Sequence, residues 1–143
     1  MKIQEIMTDK IIAVSQHEPV SHAARLMTRH NLGVLPVCDD KGQLRGVLTD
    51  RDIVTRCVAA DMEPEDTKIR EIMSRGIRTC SSRDDIHTAL DFMSREQLRR
   101  LPIVDDGKLV GMVSLADLAR SGIFSMEAAE ALTEISANVQ HRE

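Results

Sequence analysis

"GVLTDRD", residues 46–52, reads as the end of an apolar strand, a threonine, and a charged turn that opens a helix. Sixty-five positions later "GMVSLAD", residues 111–117, does nearly the same thing again. Working outward from this pair, the whole chain reads as a duplication. Residues 3–40 lie over 69–106 at an offset of 66. Ile3, Glu5, Ile6 and Met7 fall on Ile69, Glu71, Ile72 and Met73, and Leu35-Pro36 falls on Leu101-Pro102. One residue drops out in the following turn, after which Gly42, Leu44, Gly46 and Asp52 match Gly107, Leu109, Gly111 and Asp117. A repeat of this length, carried twice, predicts two supersecondary units sharing a core.

Each copy has the same grammar. After "IQEIM" or "IREIM" comes a β-type run, "KIIAVS" (10–15) or "IRTCS" (77–81). Val20, Ala23, Ala24 and Met27 then fall at i, i+3, i+4 and i+7, as do Ile86, Ala89, Leu90 and Met93, which predicts an amphipathic helix in each copy. Pro19 sits near the first turn, where a missing N–H costs least, and Asp84-Asp85 hold the matching place, favoured by the helix dipole. The apolar runs "VLPVC" and "LRGVLT" flank "DDKGQ" and predict a β-hairpin with Gly42 at positive φ. A second helix follows, "RDIVTRCVAA" or "LADLARSG". The expected fold class is α+β with an α/β-type mixed sheet, the order β-α-β-β-α occurring twice. Its expected parts are 1–60, an acidic linker 61–68, 69–122, and a C-terminal helix and tail 123–143. The tail helix is expected to start at Ser125 as N-cap and to align Met126, Ala129, Leu132 and Ile135 along one side, for packing on its own core or for a partner.

Composition narrows the function. The 143 residues, 42% apolar, suffice for one ordinary domain or two very small ones. Two Phe, no Trp and no Tyr argue against an aromatic platform for nucleic-acid bases, and a net charge of −4 offers no broad basic footprint. Three widely spaced cysteines form neither a disulfide framework nor CxxC metal spacing, which favours a reducing compartment. The start "MKIQEIMTDK" lacks the apolar run of a signal peptide, and no apolar stretch reaches membrane-spanning length, so a cytoplasmic protein is expected. His17, His22 and His30 lack the spacing of a single-face metal pair, Cys57 has no base placed beside it, and Asp39-Asp40 and Asp105-Asp106 read as turn acids. Neither an enzyme nor a metal site is expected.

Two readings of the strand-to-helix corner stay open. Thr49 with Asp52, and Ser114 with Asp117, fit the [ST]-x-x-[DE] capping box, in which hydroxyl and carboxylate satisfy each other's backbone N–H. The same geometry suits a ligand: helix N–H groups and the hydroxyl can hold an anion, and the carboxylate can accept from a diol such as ribose. Gly46 and Gly111 keep the strand bare where a ligand or another backbone comes close.

Taken together, "EIM" ahead of each copy, "LPV" and "LPI", "GQLRGVLTDRD" and "GKLVGMVSLAD" resemble a tandem pair of CBS (cystathionine-β-synthase) domains, a Bateman module, over residues 3–122. The resemblance implies two repeats packed pseudo-symmetrically through their sheets, usually dimerised again as a homodimer. It also implies clefts for adenosine-containing regulatory ligands: AMP, ADP, ATP, S-adenosylmethionine or NAD-like compounds, with no catalytic cofactor. Carried over residue by residue, it assigns Thr49 and Asp52 to one cleft and Ser114 and Asp117 to the other, the aspartates toward ribose. The base would lie against Ile11, Ile12 and Ala13, or Ile77, Arg78 and Thr79, with Leu35-Pro36 and Leu101-Pro102 as the other wall. Arg99 and Arg100, where the first copy has Gly33-Val34, are the phosphate candidates, with Arg51 a further one. Replacing Asp52 or Asp117 by alanine is expected to weaken nucleotide binding and leave the fold intact. Function is then regulatory, signalling to an unknown partner chain; the alternative is an interaction module whose clefts are vestigial.

Overall fold

The structure is a computed structural model and describes residues 1–120 and 125–141. Its strands are β1 (Val14–Ser15), β2 (Val34–Cys38), β3 (Leu44–Thr49), β4 (Arg100–Asp105) and β5 (Lys108–Ser114). Its helices are α1 (Val20–His30), α2 (Asp50–Ile53), α3 (Ile86–Glu96), α4 (Leu115–Arg120) and α5 (Ser125–His141). A π-helical turn, Val54–Val58, continues α2, and short 3₁₀ turns occupy Ile3–Glu5 and Ile69–Glu71. This is the α+β fold expected. Among the described residues no helix is long and apolar enough to cross a membrane.

The chain forms two compact units that do not follow the repeat boundaries. One is Ile12–Ile77; the other joins Met1–Ile11 to the chain from Arg78 onward. The cause is the "EIM" segment. Ile69, Ile72 and Met73 are buried with Val14, Val20, Leu35 and Leu48 in the first unit's core. Ile3 is buried with Ile86, Met93, Leu101 and Val113 in the second. Fully burying such an isoleucine contributes roughly 2 kcal/mol, enough to fix where each segment lies. The stretch 61–68, expected as an acidic linker, is folded into the first unit. Pro19 caps α1 without a side-chain acceptor, so the N–H groups of Val20 and Ser21 donate to the carbonyls of Thr67 (2.9 Å) and Pro64 (3.0 Å). The end of the second repeat, expected at 122, falls outside the described residues.

The helical periodicity places α1 and α3 as expected: Val20, Ala23 and Met27, and Ile86, Ala89, Leu90 and Met93, are buried. Ala24 is only half-buried. Both hairpins form, with β2–β3 and β4–β5 antiparallel and Gly42 at φ 78°. The opening runs are shorter than expected. Only Val14 and Ser15 pair with β2, in parallel, and residues 77–81 contribute a single parallel bridge, Cys80 to Ile103. Proline supplies the reason. Val104 N–H donates to the Cys80 carbonyl at 2.8 Å, and two residues earlier on that same strand edge stands Pro102, with no N–H to give. Pro36 occupies the equivalent place in β2. The carbonyls of Ile12 and Arg78, which the ladders would otherwise reach, accept from no other described residue.

The two repeats use one acid differently. Asp39 accepts from the backbone of Lys41 and Gln43 within its own turn, as expected of a turn acid. Asp105 reaches instead to the loop before α3, accepting from the Ser82 hydroxyl, the Ser82 N–H (3.0 Å) and the Ser81 hydroxyl (2.8 Å). Those bonds, from Ser82 first and then Ser81, hold its carboxyl below the ordinary range. A depressed folded pKa contributes stability above the unfolded value, about 3.9, and loses it as pH falls through the folded value. Melting temperature is therefore expected to drop on acidification below about pH 4, and Asp105→Asn to flatten that acid limb while lowering stability at pH 7. Parallel melting curves of the two proteins across pH 2–7 check this; equal slopes would contradict it.

The C-terminal helix forms, but its buried side differs from expectation. Ala131 and Ile135 enter the second core, whereas Met126, Ala129 and Leu132 are exposed. The cap expected at Ser125 falls outside the described side chains.

Candidate functional site: two strand-to-helix corners

In the first unit β3 ends at Thr49, which keeps an extended backbone and caps α2. Its hydroxyl accepts from Asp52 N–H at 3.0 Å, and the Asp52 carboxylate accepts from Thr49 N–H at 3.0 Å. The capping box is thus closed in both directions. Asp52, 6% exposed, has more to hold: the Ser74 hydroxyl donates to its two oxygens at 3.2 and 3.3 Å, and Arg56 Nη1 lies 3.6 Å away. Arg56 also donates to the carbonyls of Ile72 (3.0 Å) and Met73 (3.2 Å). Asp52 therefore ties α2 to the 72–74 segment, so truncating it removes these bonds together with any ligand contact. Ser74 and Arg56 were not anticipated. The available signal was a hydroxyl directly after "EIM" in both copies, Thr8 and Ser74.

The glycine of the first corner answers to backbone, that of the second first to a side chain and then to backbone. Val47 and Ser74 exchange hydrogen bonds of 3.0 and 2.9 Å, and a Cβ on Gly46 would stand 2.3 Å from the Ser74 carbonyl oxygen. Met112 and Thr8 do the same at 2.9 Å, leaving a Cβ on Gly111 2.7 Å from Met7 Sδ and 3.0 Å from the Thr8 carbonyl oxygen.

In the second unit the Ser114 hydroxyl accepts from Asp117 N–H at 3.0 Å, with Ser114 6% exposed and Asp117 half-buried. Arg100 lies opposite Ser114 in the β4–β5 register, and the Arg99 carbonyl accepts from Leu115 N–H at 2.8 Å. Arg99, Arg100, Ser114 and Asp117 thus meet at one corner. Gly33 and Val34 hold the corresponding places in the first unit, where Asp50 N–H donates to the Gly33 carbonyl at 3.0 Å. Arg99 and Arg51 are exposed and Arg100 half-buried.

The remaining candidates divide. Leu35 and Leu101 are fully buried, with their side chains in the two cores. Pro36 and Pro102 are also buried. Ile11, Ile12, Ile77 and Thr79 are half-buried, Ala13 and Arg78 exposed, and none belongs to a strand. Beside them lie the two carbonyls, Ile12 and Arg78, that the prolines leave unmatched.

Other chemistry has little footing. Cys57 is fully buried and its thiol donates to the Met62 carbonyl. Burial, with Asp84 nearby, pushes the Cys80 thiol up to about 12, far from a reactive thiolate at neutral pH. His22 pairs with Glu18 at 2.8 Å, and among the described residues no three His, Cys, Asp or Glu side chains gather closely enough to hold a metal ion.

The family model of the CBS domain matches residues 3–59 and 69–123. The CBS domain-containing protein YhcV of Bacillus subtilis is 39% identical over 134 residues, 94% of each chain. The crystal structure of hypoxic response protein I with two coordinated zinc ions superposes with a TM-score of 0.79 at 36% identity, covering 84% of this chain and 98% of that one. The CBS domain pair of protein MJ0100, in complex with 5′-methylthioadenosine and S-adenosyl-L-methionine, superposes with a TM-score of 0.74 at 27% identity, covering 85% and 99%.

Proposed function

Because this chain belongs to the CBS domain family, we propose that it is a non-catalytic regulatory module that binds an adenosine-containing small molecule and signals to a partner protein, working as a homodimer. The observation that carries this reading is the pair of unmatched carbonyls, Ile12 and Arg78, each in the same unit as a hydroxyl–aspartate corner. An adenine amino group donates to such a carbonyl, a ribose diol donates to Asp117 or Asp52, and Arg99 and Arg100 or Arg51 meet an anionic end. The adenosyl ligands of MJ0100 at 27% identity support the ligand class.

A second reading has one observation in its favour. The Asp52 carboxylate already serves Thr49 and Ser74, as a purely structural residue does. In that reading the corners are caps and the protein acts through association alone.

A melting panel with AMP, ADP, ATP, S-adenosylmethionine and NAD separates the two. A ligand at a hundred times its Kd stabilises by about 2.7 kcal/mol, which raises Tm by several degrees in a chain of this size. Arg99→Ala/Arg100→Ala is expected to shrink the shift given by the phosphate-bearing compounds and spare that of S-adenosylmethionine. No shift with any member of the panel would sink the ligand-binding reading.

A further inference from the structure

The Asp52 carboxylate is occupied before any ligand arrives. An ionised carboxylate accepts about four hydrogen bonds. Thr49 N–H takes one place on Oδ2 at 3.0 Å, and the Ser74 hydroxyl lies across both oxygens at 3.2 and 3.3 Å. Arg56 Nη1 faces Oδ1 at 3.6 Å, and the carboxylate is buried. A ribose diol brings two further donors where a single place is left, so one of the groups already on Asp52 must yield to it.

The three groups are not equally free. Thr49 N–H is backbone and closes the cap of α2. Arg56 is held by the carbonyls of Ile72 (3.0 Å) and Met73 (3.2 Å). Ser74 differs, because its backbone is pinned to Val47 by bonds of 3.0 and 2.9 Å while its hydroxyl turns about one single bond. Turning gives up Asp52 and a donation from Arg56 at 3.4 Å, and it breaks no backbone bond. The duplication supplies the alternative position. At the matching place in the other copy, the Thr8 hydroxyl accepts from Lys10 N–H at 3.2 Å, and Gly76 stands where Lys10 does. A turned Ser74 hydroxyl can accept from Gly76 N–H in the same way, as serine does two residues ahead in a turn. Ser74 is half-buried, so water can also meet it.

We propose that the Ser74 hydroxyl is a latch on the first corner: it holds Asp52 while the corner is empty, and an adenosyl ligand binds there by displacing it. Loading the corner then loosens α2 from the 72–74 segment, and by linkage whatever weakens that tie strengthens the ligand. The inference rests on the ligand-binding reading above. It also gives the Asp52–Ser74 contact, which favours the second reading, a place as the state before ligand.

Calorimetry with AMP and with S-adenosylmethionine, both of which carry the ribose diol, tests it in an Asp117→Asn background that weakens the second corner. Ser74→Ala is expected to tighten binding about fivefold, the worth of one hydrogen bond no longer competed for. Ser74→Thr keeps the hydroxyl and is expected to bind as its parent does. Without ligand Ser74→Ala is expected to melt about 3 °C below its parent, and the gap to close when ligand saturates the corner, because the bond it lacks is one the loaded protein has already given up. A serine that is merely structural lowers Tm equally with and without ligand and leaves affinity unchanged or weaker; that result overturns the latch. Tightening by Ser74→Thr as large as that by Ser74→Ala overturns it too, since the hydroxyl is then not the competitor. Binding by wild type that vanishes in Asp117→Asn places the ligand at the second corner alone, which overturns the latch and leaves the ligand-binding reading standing. No binding by wild type of any member of the panel removes both.

Discussion

Gly46→Ala is expected to cost about 3 kcal/mol or more and to lower Tm by about 10 °C. Its Cβ would stand 2.3 Å from the Ser74 carbonyl oxygen, a backbone atom with little room to retreat. That oxygen accepts from Val47 N–H at 3.0 Å, Ser74 N–H donates back at 2.9 Å, and the Ser74 hydroxyl is bound to Asp52. Next to it in the chain, Met73 and Ile72 are buried in the core. Relieving the clash therefore means parting the Val47–Ser74 bridge and lifting two buried side chains. Gly111→Ala is expected to cost less than half as much. There the nearest atom, at 2.7 Å, is Sδ of Met7, the far end of a flexible side chain, and the Thr8 carbonyl oxygen is 3.0 Å away. Urea unfolding of the two variants beside wild type measures the difference. Equal losses, or a Gly46→Ala protein as stable as wild type, would show that the "EIM" segment is not clamped as described.

This pair of glycines shows what could be read from the sequence. Their repetition fixed a point of close approach, and the apolar spacing fixed α1 and α3. Neither could say whether ligand or backbone makes the approach, because Gly46 and Ser74 are distant in the chain and joined only in the fold. The opening strands come out shorter than expected for a reason that lies elsewhere in the chain. "KIIAVS" has β-type composition throughout, but a ladder needs a donor opposite, and Pro36 and Pro102 withhold it. The tail helix was misread for the opposite reason. Ala128, Ala129, Ala131 and Ala137 spread small apolar residues around its circumference, so no single stripe dominates and packing selects the side. The corners were legible as a pattern of hydroxyl and carboxylate. That Asp52 also holds Ser74 was not, since Ser74 stands 22 residues away; Arg56, four residues on in the same predicted helix, was within reach of an i,i+4 reading.

Asp52 is where capping and binding can be told apart by substitution. Asp52→Ala removes the acceptor for Thr49 N–H and for the Ser74 hydroxyl and leaves Arg56 without its nearby carboxylate. Losing the cap and stranding these donors is expected to cost about 2 kcal/mol, so weaker ligand binding by this variant has two explanations. Asp52→Asn has one. Its carbonyl oxygen still accepts from Thr49 N–H, which keeps stability within about 1 kcal/mol of wild type. A ribose diol donating to it, however, exchanges charge-assisted bonds for neutral ones, a loss of about 1.4 kcal/mol or tenfold in affinity. Near-native melting combined with tenfold weaker adenosyl binding, by calorimetry, is therefore expected if the first corner holds ribose. Unchanged affinity in Asp52→Asn with loss in Asp117→Asn would make the first corner a cap alone and place the ligand at the second, where Arg99 and Arg100 stand. Unchanged affinity in both removes the aspartates from binding altogether, since a carboxylate that grips a diol cannot be neutralised without a change in the free energy of the bound state.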